Sequence, residues 1–339
     1  MHRASTMHRM SSTLSFFLRP LVVLKDYPVL LQYGNIYVVT TGIITAFGVV
    51  LSILFGYFLF LVMFPAEAFG RYWIWNAAMV PLWSLFFSKI YHYFVLGSDF
   101  LKNPKKHLVE TAFYNQGGQF GVLVGTIWIS ITSKIDFFAC MDITLTASCI
   151  AAAFGRIGCY SYGCCHGRPT ASRFSTIYTN PDSKVLRIFP ELLNVPLTPT
   201  QLVSAAFNFF LFGTMASILA LSPKAGIASA YCIITYNLFR IYIEKYRISV
   251  INISERTENM RLFQRMASFL SLSGIIYLLF VLWIPSNRLA FVAPLTMGKY
   301  FSEHVFQPQG ILALSFVFFV YIGAWGIHYK KLGQHFEWN

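Results

Sequence analysis

Long apolar stretches recur along this chain, and they decide what it can fold into. Runs near 37–62, 72–96, 111–132, 137–157, 199–221, 225–245, 266–285 and 309–328 each reach the roughly 20 predominantly apolar residues that a membrane-spanning helix needs. Inside lipid every backbone N–H and C=O must be satisfied internally, so only helices or closed barrels cross it. No segment alternates with period two, which removes the barrel. The expectation is an all-α, polytopic transmembrane helical bundle with about seven or eight spans. The run at 111–132 is the least apolar, because it carries Asn115, Gln116, Gln119 and several glycines. No internal repeat is evident, which counts against transporters built from duplicated halves.

Charge supports the same class. Charged residues are 12% of the chain, against roughly 25% in soluble domains, so most of the surface is not built for water. The net charge of +13 raises nucleic acid as a partner. The basic residues, however, sit in short connections between apolar runs, which points to anionic lipid headgroups and to no nucleic acid. Six cysteines are too few for a secreted disulfide scaffold. Residues 1–35 read as a basic, partly interfacial segment rather than a cleaved leader, since Arg19, Pro20, Lys25 and Pro28 interrupt its apolar pieces. Residues 36–285 read as the main bundle, and 286–339 as an additional C-terminal span and tail. Within the bundle, 164–198 is a small hydrophilic head region between the fourth and fifth spans. A second hydrophilic stretch, 248–264, holds Glu255, Arg256, Glu258 and Arg261.

The densest chemistry lies at 152–170, AAFGRIGCYSYGCCHGRPT. Arg156 ends an apolar run, and a charge at the centre of a bilayer costs at least about 2.5–3.5 kcal/mol. It is therefore a functional candidate, with snorkelling to the interface as the plain alternative. Gly155, Gly158, Gly163 and Gly167 allow close backbone approach and unusual dihedrals beside it. A planar guanidinium there suits a phosphate, which it holds by paired, charge-assisted hydrogen bonds. A second set is YNLFRIYIEKYR at 236–247, where Arg240 and Glu244 share one helix face and Arg247 follows a turn later. Glu244 either fixes Arg240 for a ligand or merely neutralises it. QGG at 116–118 suggests backbone near a ligand or a helix contact, and Asp142 needs a helix end or an arginine as partner. The cluster Cys159, Cys164, Cys165 and His166 admits zinc, a disulfide, covalent acceptance of a lipid group at Cys164, or plain packing. Packing leads, because structural zinc sites usually join two separated ligand pairs.

Taken in order, these segments resemble the prolipoprotein diacylglyceryl transferase family over about residues 34–285. The family signature GRxGNFxNxExxGRPT is similar to GRIGCYSYGCCHGRPT at 155–170, its PSQLYEA to PTQLVSA at 199–205, and its FRxxVExxR to FRIYIEKYR at 239–247. Its HGG falls on Gln116, Gly117 and Gly118, and its upstream acid on Asp142. Its first-span opening is similar to GNIYVVTTGIITAFG at 34–48. The family's signature Asn, Asn and Glu fall on Cys159, Tyr162 and Cys164, its histidine on Gln116 and its first-span tyrosine on Thr41. The resemblance implies a multi-pass protein of the bacterial cytoplasmic (inner) membrane. It further implies that a prolipoprotein cysteine thiol attacks the diacylglyceryl carbon of phosphatidylglycerol, without a cofactor or metal.

On this reading Arg156, Arg240, Glu244 and His166 form the candidate catalytic set, with His166 substituting for the lost histidine base. Gln116, Gly117, Gly118, Asp142, Gly155, Gly158, Cys159, Cys164, Gly167, Arg168 and Arg247 form the candidate substrate-binding set. The competing classes are a non-catalytic lipid-binding membrane protein and a transporter or scramblase. Lysines and arginines outside the spans favour the side bearing the head region and both termini. The positive-inside rule puts that side in the cytoplasm, whereas the resemblance implies the reverse.

Overall fold

The computed structural model describes residues 24–64, 73–109, 113–222, 224–247, 253–284 and 294–333, with side chains of 253–264 and 294–298 among those left undescribed. The charged residues between Glu255 and Arg261, and residues 1–23, thus lie outside the described side chains. Nine helices of twelve residues or more are described: α1 Thr40–Met63, α2 Trp73–Leu96, α3 Asn115–Ser133, α4 Phe137–Tyr162, α5 Thr200–Leu221, α6 Ile227–Glu244, α7 Ile253–Trp283, α8 Pro294–Val305 and α9 Pro308–Gly326. Each of the eight apolar runs overlaps one of these helices. Five helical stretches are long and apolar enough to cross a membrane: α1, α4, α5, Arg265–Trp283 of α7, and α9. The chain is a multi-pass membrane protein. Helices α2, α3 and α6 fall short of that measure and pack among the others.

The core forms where α1, α2 and α4 meet, around Tyr57, Phe60, Leu61, Ala78 and Ile143, all at most 2% exposed. Glycines set the closest contacts. Gly121 and Gly125 of α3 lie against the backbone of α2 at Trp83 and Val80. Small residues allow this approach where hydrocarbon solvent gives helices no hydrophobic reason to associate.

A small three-stranded sheet accompanies the helical bundle. β1 (Val29–Tyr33) and β2 (Ile36–Val39) form an antiparallel hairpin, Tyr33 opposite Ile36, turned at Gly34 with φ +56°. β-branched and aromatic residues on both sides of a Gly-Asn pair favour this turn. β3 (Ile327–Tyr329) adds to β2, with Tyr37 opposite His328. The C-terminal segment is therefore built into the bundle: a side-chain carbon on Gly42 of α1 would overlap the backbone of Gly326 at the end of α9.

The head region carries its own small core of Tyr178, Val185, Leu186 and Leu197. Tyr178 donates to the Tyr160 carbonyl at 3.0 Å, tying this core to α4. Arg187 bonds the Tyr162 hydroxyl at 2.7 Å and the Leu332 carbonyl at 2.8 Å, which ties it to the C-terminal strap as well.

Candidate functional site

The end of α4 is shaped by glycine. Gly163 caps the helix with φ +77°, its N–H reaching back to Cys159 and Tyr160 carbonyls, the left-handed ending that glycine adopts without strain. One turn earlier, a carbon on Gly158 would sit 2.7 Å from Thr41 Oγ1, so α4 meets the start of α1 there. Beyond the cap the chain turns sharply, and Cys165 adopts φ +58°, a conformation costing a residue with a side chain about 1–2 kcal/mol. The start of α5 holds this turn. Thr200 Oγ1 donates to the Cys165 carbonyl and Gln201 Nε2 to the Cys164 carbonyl, each at 2.8 Å.

The following residues run between two other segments. Gly167 N–H donates to the Thr198 carbonyl at 3.0 Å and Arg168 N–H to the Tyr246 carbonyl at 2.9 Å. A carbon on Gly167 would lie 2.5 Å from Thr198 O and 2.9 Å from Tyr246 O, so no side chain fits. Arg168 Nε reaches the Arg247 carbonyl at 3.3 Å, while its guanidinium remains exposed. Thus the GRPT segment clips the end of α6 to the start of α5, and the signature turn, PTQ and the FR…R segment become one unit.

That unit gathers the arginines. Arg240 is 7% exposed and its guanidinium lies 3.5 Å from Glu244, while Arg247 pairs with the same carboxylate at 3.1 Å. Arg156 comes from α4 to the same place: it interacts with Tyr236, Cys159 and Cys165, and it repels Arg240 and Arg247. Two of the guanidiniums therefore meet on one carboxylate, with Arg156 close to both. Tyr236, one turn before Arg240, bridges toward α3 through a hydrogen bond from Asn115 at 3.2 Å. A cavity opens beside this cluster, lined by Gln116, Gln119, Tyr236, Arg240 and Ala267 among others.

Several expected site residues lie elsewhere or do something else. Gly117 and Gly118 face α2, where added carbons would meet the Phe87 carbonyl and, at 2.8 Å, Ser88 Oγ; they set a close helix interface. Asp142 sits fourteen residues before Arg156 on α4, about 21 Å away along the helix. Its two oxygens accept the N–H groups of Gly226 and Ser229, each at 2.7 Å, at the start of α6. Asp142 thus caps a helix N-terminus, where an anion is stabilised, and does not reach the arginines. His166 is buried, its ring edge-on to Phe189 at 5.9 Å and its Nδ1 3.2 Å from the Gly167 carbonyl. Burial pushes its imidazole below the ordinary value. These contacts make it part of the turn's packing. Gly155, by contrast, has nothing within 4 Å of where a side chain would start, and so leaves open space beside Arg156.

The cysteines converge. The Sγ atoms of Cys159, Cys164 and Cys165 lie within 4.8 Å of one another, and all three are free thiols. Thiols of Cys159 and Cys164 turned toward Cys165, together with the Arg247 and Arg156 guanidiniums, hold Cys165 below the ordinary thiol value, whereas Cys164 is pushed up.

Comparison with known proteins bears on this arrangement. The family model for prolipoprotein diacylglyceryl transferase matches residues 28–284. The chain belongs to that family. Among curated relatives, phosphatidylglycerol--prolipoprotein diacylglyceryl transferase of Clostridium tetani is 28% identical over 132 residues, covering 38% of this chain and 50% of that protein. The second such transferase of Clostridium perfringens is 30% identical over 135 residues, covering 40% and 50%. The one of Dehalococcoides mccartyi is 28% identical over 187 residues, covering 55% and 68%. The chain spans about half the length of the first two. The family match begins at the β1–β2 hairpin and ends with α7, so α8, α9 and β3 lie outside it although they pack on the matched part.

Sequence reading missed Tyr236, Asn115, Thr200 and Gln201 as site-building residues. The first had a signal, since it stands four residues before Arg240 on the same helix face. Thr200 and Gln201 had one as well, since they lie in the PTQLVSA segment at 199–205, whereas the contact of Asn115 crosses the fold and no local pattern announces it.

Proposed function

We propose that this chain is a transferase of the bacterial cytoplasmic membrane that moves a diacylglyceryl group from phosphatidylglycerol to a thiol acceptor, the cysteine of a prolipoprotein. The observation that carries the reading is the meeting of Arg156, Arg240 and Arg247, two of them on the carboxylate of Glu244. Guanidiniums gathered in this way suit a phosphodiester headgroup, which they hold by paired, charge-assisted hydrogen bonds. Glu244 has a positioning role, holding two of the guanidiniums.

In the reaction the acceptor thiolate forms an S–C bond to the diacylglyceryl carbon as the C–O bond to phosphate breaks. The electron pair stays on that oxygen, and glycerol phosphate leaves. The negative charge at the phosphorus group grows during this step, and preorganised guanidiniums stabilise it. Gly155 leaves room beside Arg156 for the reacting carbon, and the cavity at Gln116 and Ala267 accommodates the adjoining lipid. Gln116 cannot take a proton, which favours a second reading: a phospholipid-binding protein without turnover.

Purified protein in detergent, given labelled phosphatidylglycerol and a peptide bearing a lipidation-signal cysteine, separates the two. The transferase releases glycerol phosphate and shifts the peptide mass by one diacylglyceryl group, and Arg156→Ala and Arg240→Ala abolish both signals. Bound lipid with no release refutes turnover and leaves the binding protein.

A further inference from the structure

We infer that Cys159, Cys164 and Cys165 form a three-thiolate site for Zn2+ whose fourth position is open to an acceptor thiol. The sulfurs lie within 4.8 Å of one another. A tetrahedral ion about 2.3 Å from each sulfur needs them about 3.8 Å apart, a change within reach of small side-chain rotations. The backbone is bent to make this convergence. Adjacent cysteines normally point apart, but the Gly163 cap and the positive φ of Cys165 turn Cys164 and Cys165 back toward Cys159 on the last turn of α4.

Supporting contacts hold that shape. Thr200 and Gln201 fix the carbonyls of the two turn cysteines, in the manner of outer-shell partners that orient metal ligands. Charge fits too: Zn2+ with three thiolates carries one net negative charge, and Arg156 and Arg247 lie beside it. Of the six cysteines, Cys140, Cys149 and Cys232 belong to the bundle core instead. A metal held by three protein ligands keeps a position for substrate, and a thiol that coordinates there is deprotonated outright. The acceptor S–H would displace the metal's water, form a metal–sulfur bond and lose its proton to solvent. The resulting thiolate would sit beside the arginine cluster. This second part rests on the transferase reading; the metal site does not.

The test uses the reduced full-length protein in detergent, with Zn2+ and Co2+ as probes. One equivalent of Zn2+ per chain should survive dialysis. Co2+ should give a thiolate charge-transfer band and the intense visible bands of a tetrahedral ion. Cys164→Ser should lower Zn2+ affinity beyond the 10–100-fold that loss of an outer-shell partner costs, by more than about 100-fold. Cys149→Ser, in the core, should leave it unchanged. Adding a cysteine-containing peptide to the Co2+ form should shift the charge-transfer band. Absence of the band, with all three thiols titrating equally with and without Zn2+, overturns the site. A titration that finds a disulfide among the three in protein purified with Zn2+ overturns it as well. A band that ignores the peptide overturns the open position. If band and response stand but no diacylglyceryl transfer occurs, the transferase reading fails and the metal site remains.

Discussion

Replacing Asp142 by asparagine separates a structural role from a substrate role. Asp142 is 1% exposed, and its two oxygens take the N–H groups of Gly226 and Ser229 at 2.7 Å. Asparagine keeps one acceptor oxygen and puts an NH2 group where the second stood, so one buried N–H faces another donor. An unsatisfied buried group costs about 1–3 kcal/mol, and loss of the anion at a helix N-terminus adds about 0.3–1 kcal/mol. The sum is about 1–4 kcal/mol of stability. Reversible denaturation in mixed micelles reads this directly, as a lower midpoint with an unchanged slope. Phosphatidylglycerol binding, measured below the midpoint, should stay within about twofold of the parent, because Arg156 is about 21 Å along α4. Asp142→Asn with parental stability and more than tenfold weaker lipid binding would refute the placement and return Asp142 to the substrate site.

Three other perturbations test separate contacts. Arg240→Gln should weaken phosphatidylglycerol binding by about 10–100-fold, the equivalent of one charge-assisted interaction of about 1.5–3 kcal/mol, and Arg240→Lys should recover only part, because a point charge cannot make the paired bonds; equal binding by all three forms, measured by lipid titration, refutes direct contact. Gly167→Ala meets two backbone carbonyls at 2.5 and 2.9 Å and should cost about 1–3 kcal/mol while increasing protease access to residues 168–176; an unchanged digestion pattern and melting midpoint count against the clip. Deleting residues 286–339 removes β3 and the α9 contact at Gly42, so the truncated bundle should melt earlier and lose hydrogen-exchange protection at Tyr37 and Val38; full protection there would show that the C-terminal segment is dispensable to the fold.

Helices were legible in the sequence because lipid leaves so few backbone choices, and each apolar run does overlap one. The hairpin at 29–39 was hidden by its position, since Ile36–Val39 reads equally well as the opening of an apolar helix and only its pairing with Val29–Tyr33 and Ile327–Tyr329 settles it. Arg156, Arg240, Glu244 and Arg247 could be singled out because charge in an apolar run has a cost that needs a reason. Their meeting could not, since α4 and α6 are brought together by Gly167 fitting between Thr198 and Tyr246. The same limit explains Gly117 and Gly118: a paired glycine reports close approach, and the partner, here α2, is a property of the packed bundle. For the cysteines, spacing within eight residues argued against a metal, but the left-handed φ of Cys165 folds a short segment onto itself and makes local spacing a poor guide.

Charge balance in the arginine cluster bears on whether lipid is only held or also cleaved. Arg156, Arg240 and Arg247 meet in one place, two of them on the Glu244 carboxylate, in surroundings where charge is costly to hold. A phosphodiester headgroup brings one negative charge to them. A glycerol phosphate that has left the lipid carries close to two at neutral pH, since the second ionisation of a phosphate monoester lies near 6. The cluster is therefore better matched to the leaving group than to the intact lipid, and the match improves as the C–O bond breaks. Interactions that strengthen along the reaction lower its barrier, whereas those equal at both ends only tighten binding. Glycerol phosphate should accordingly bind this site more tightly than glycerophosphodiesters with the same glycerol. Competition of each against labelled phosphatidylglycerol measures it, and a preference for the diester would mark the cluster as a lipid anchor alone.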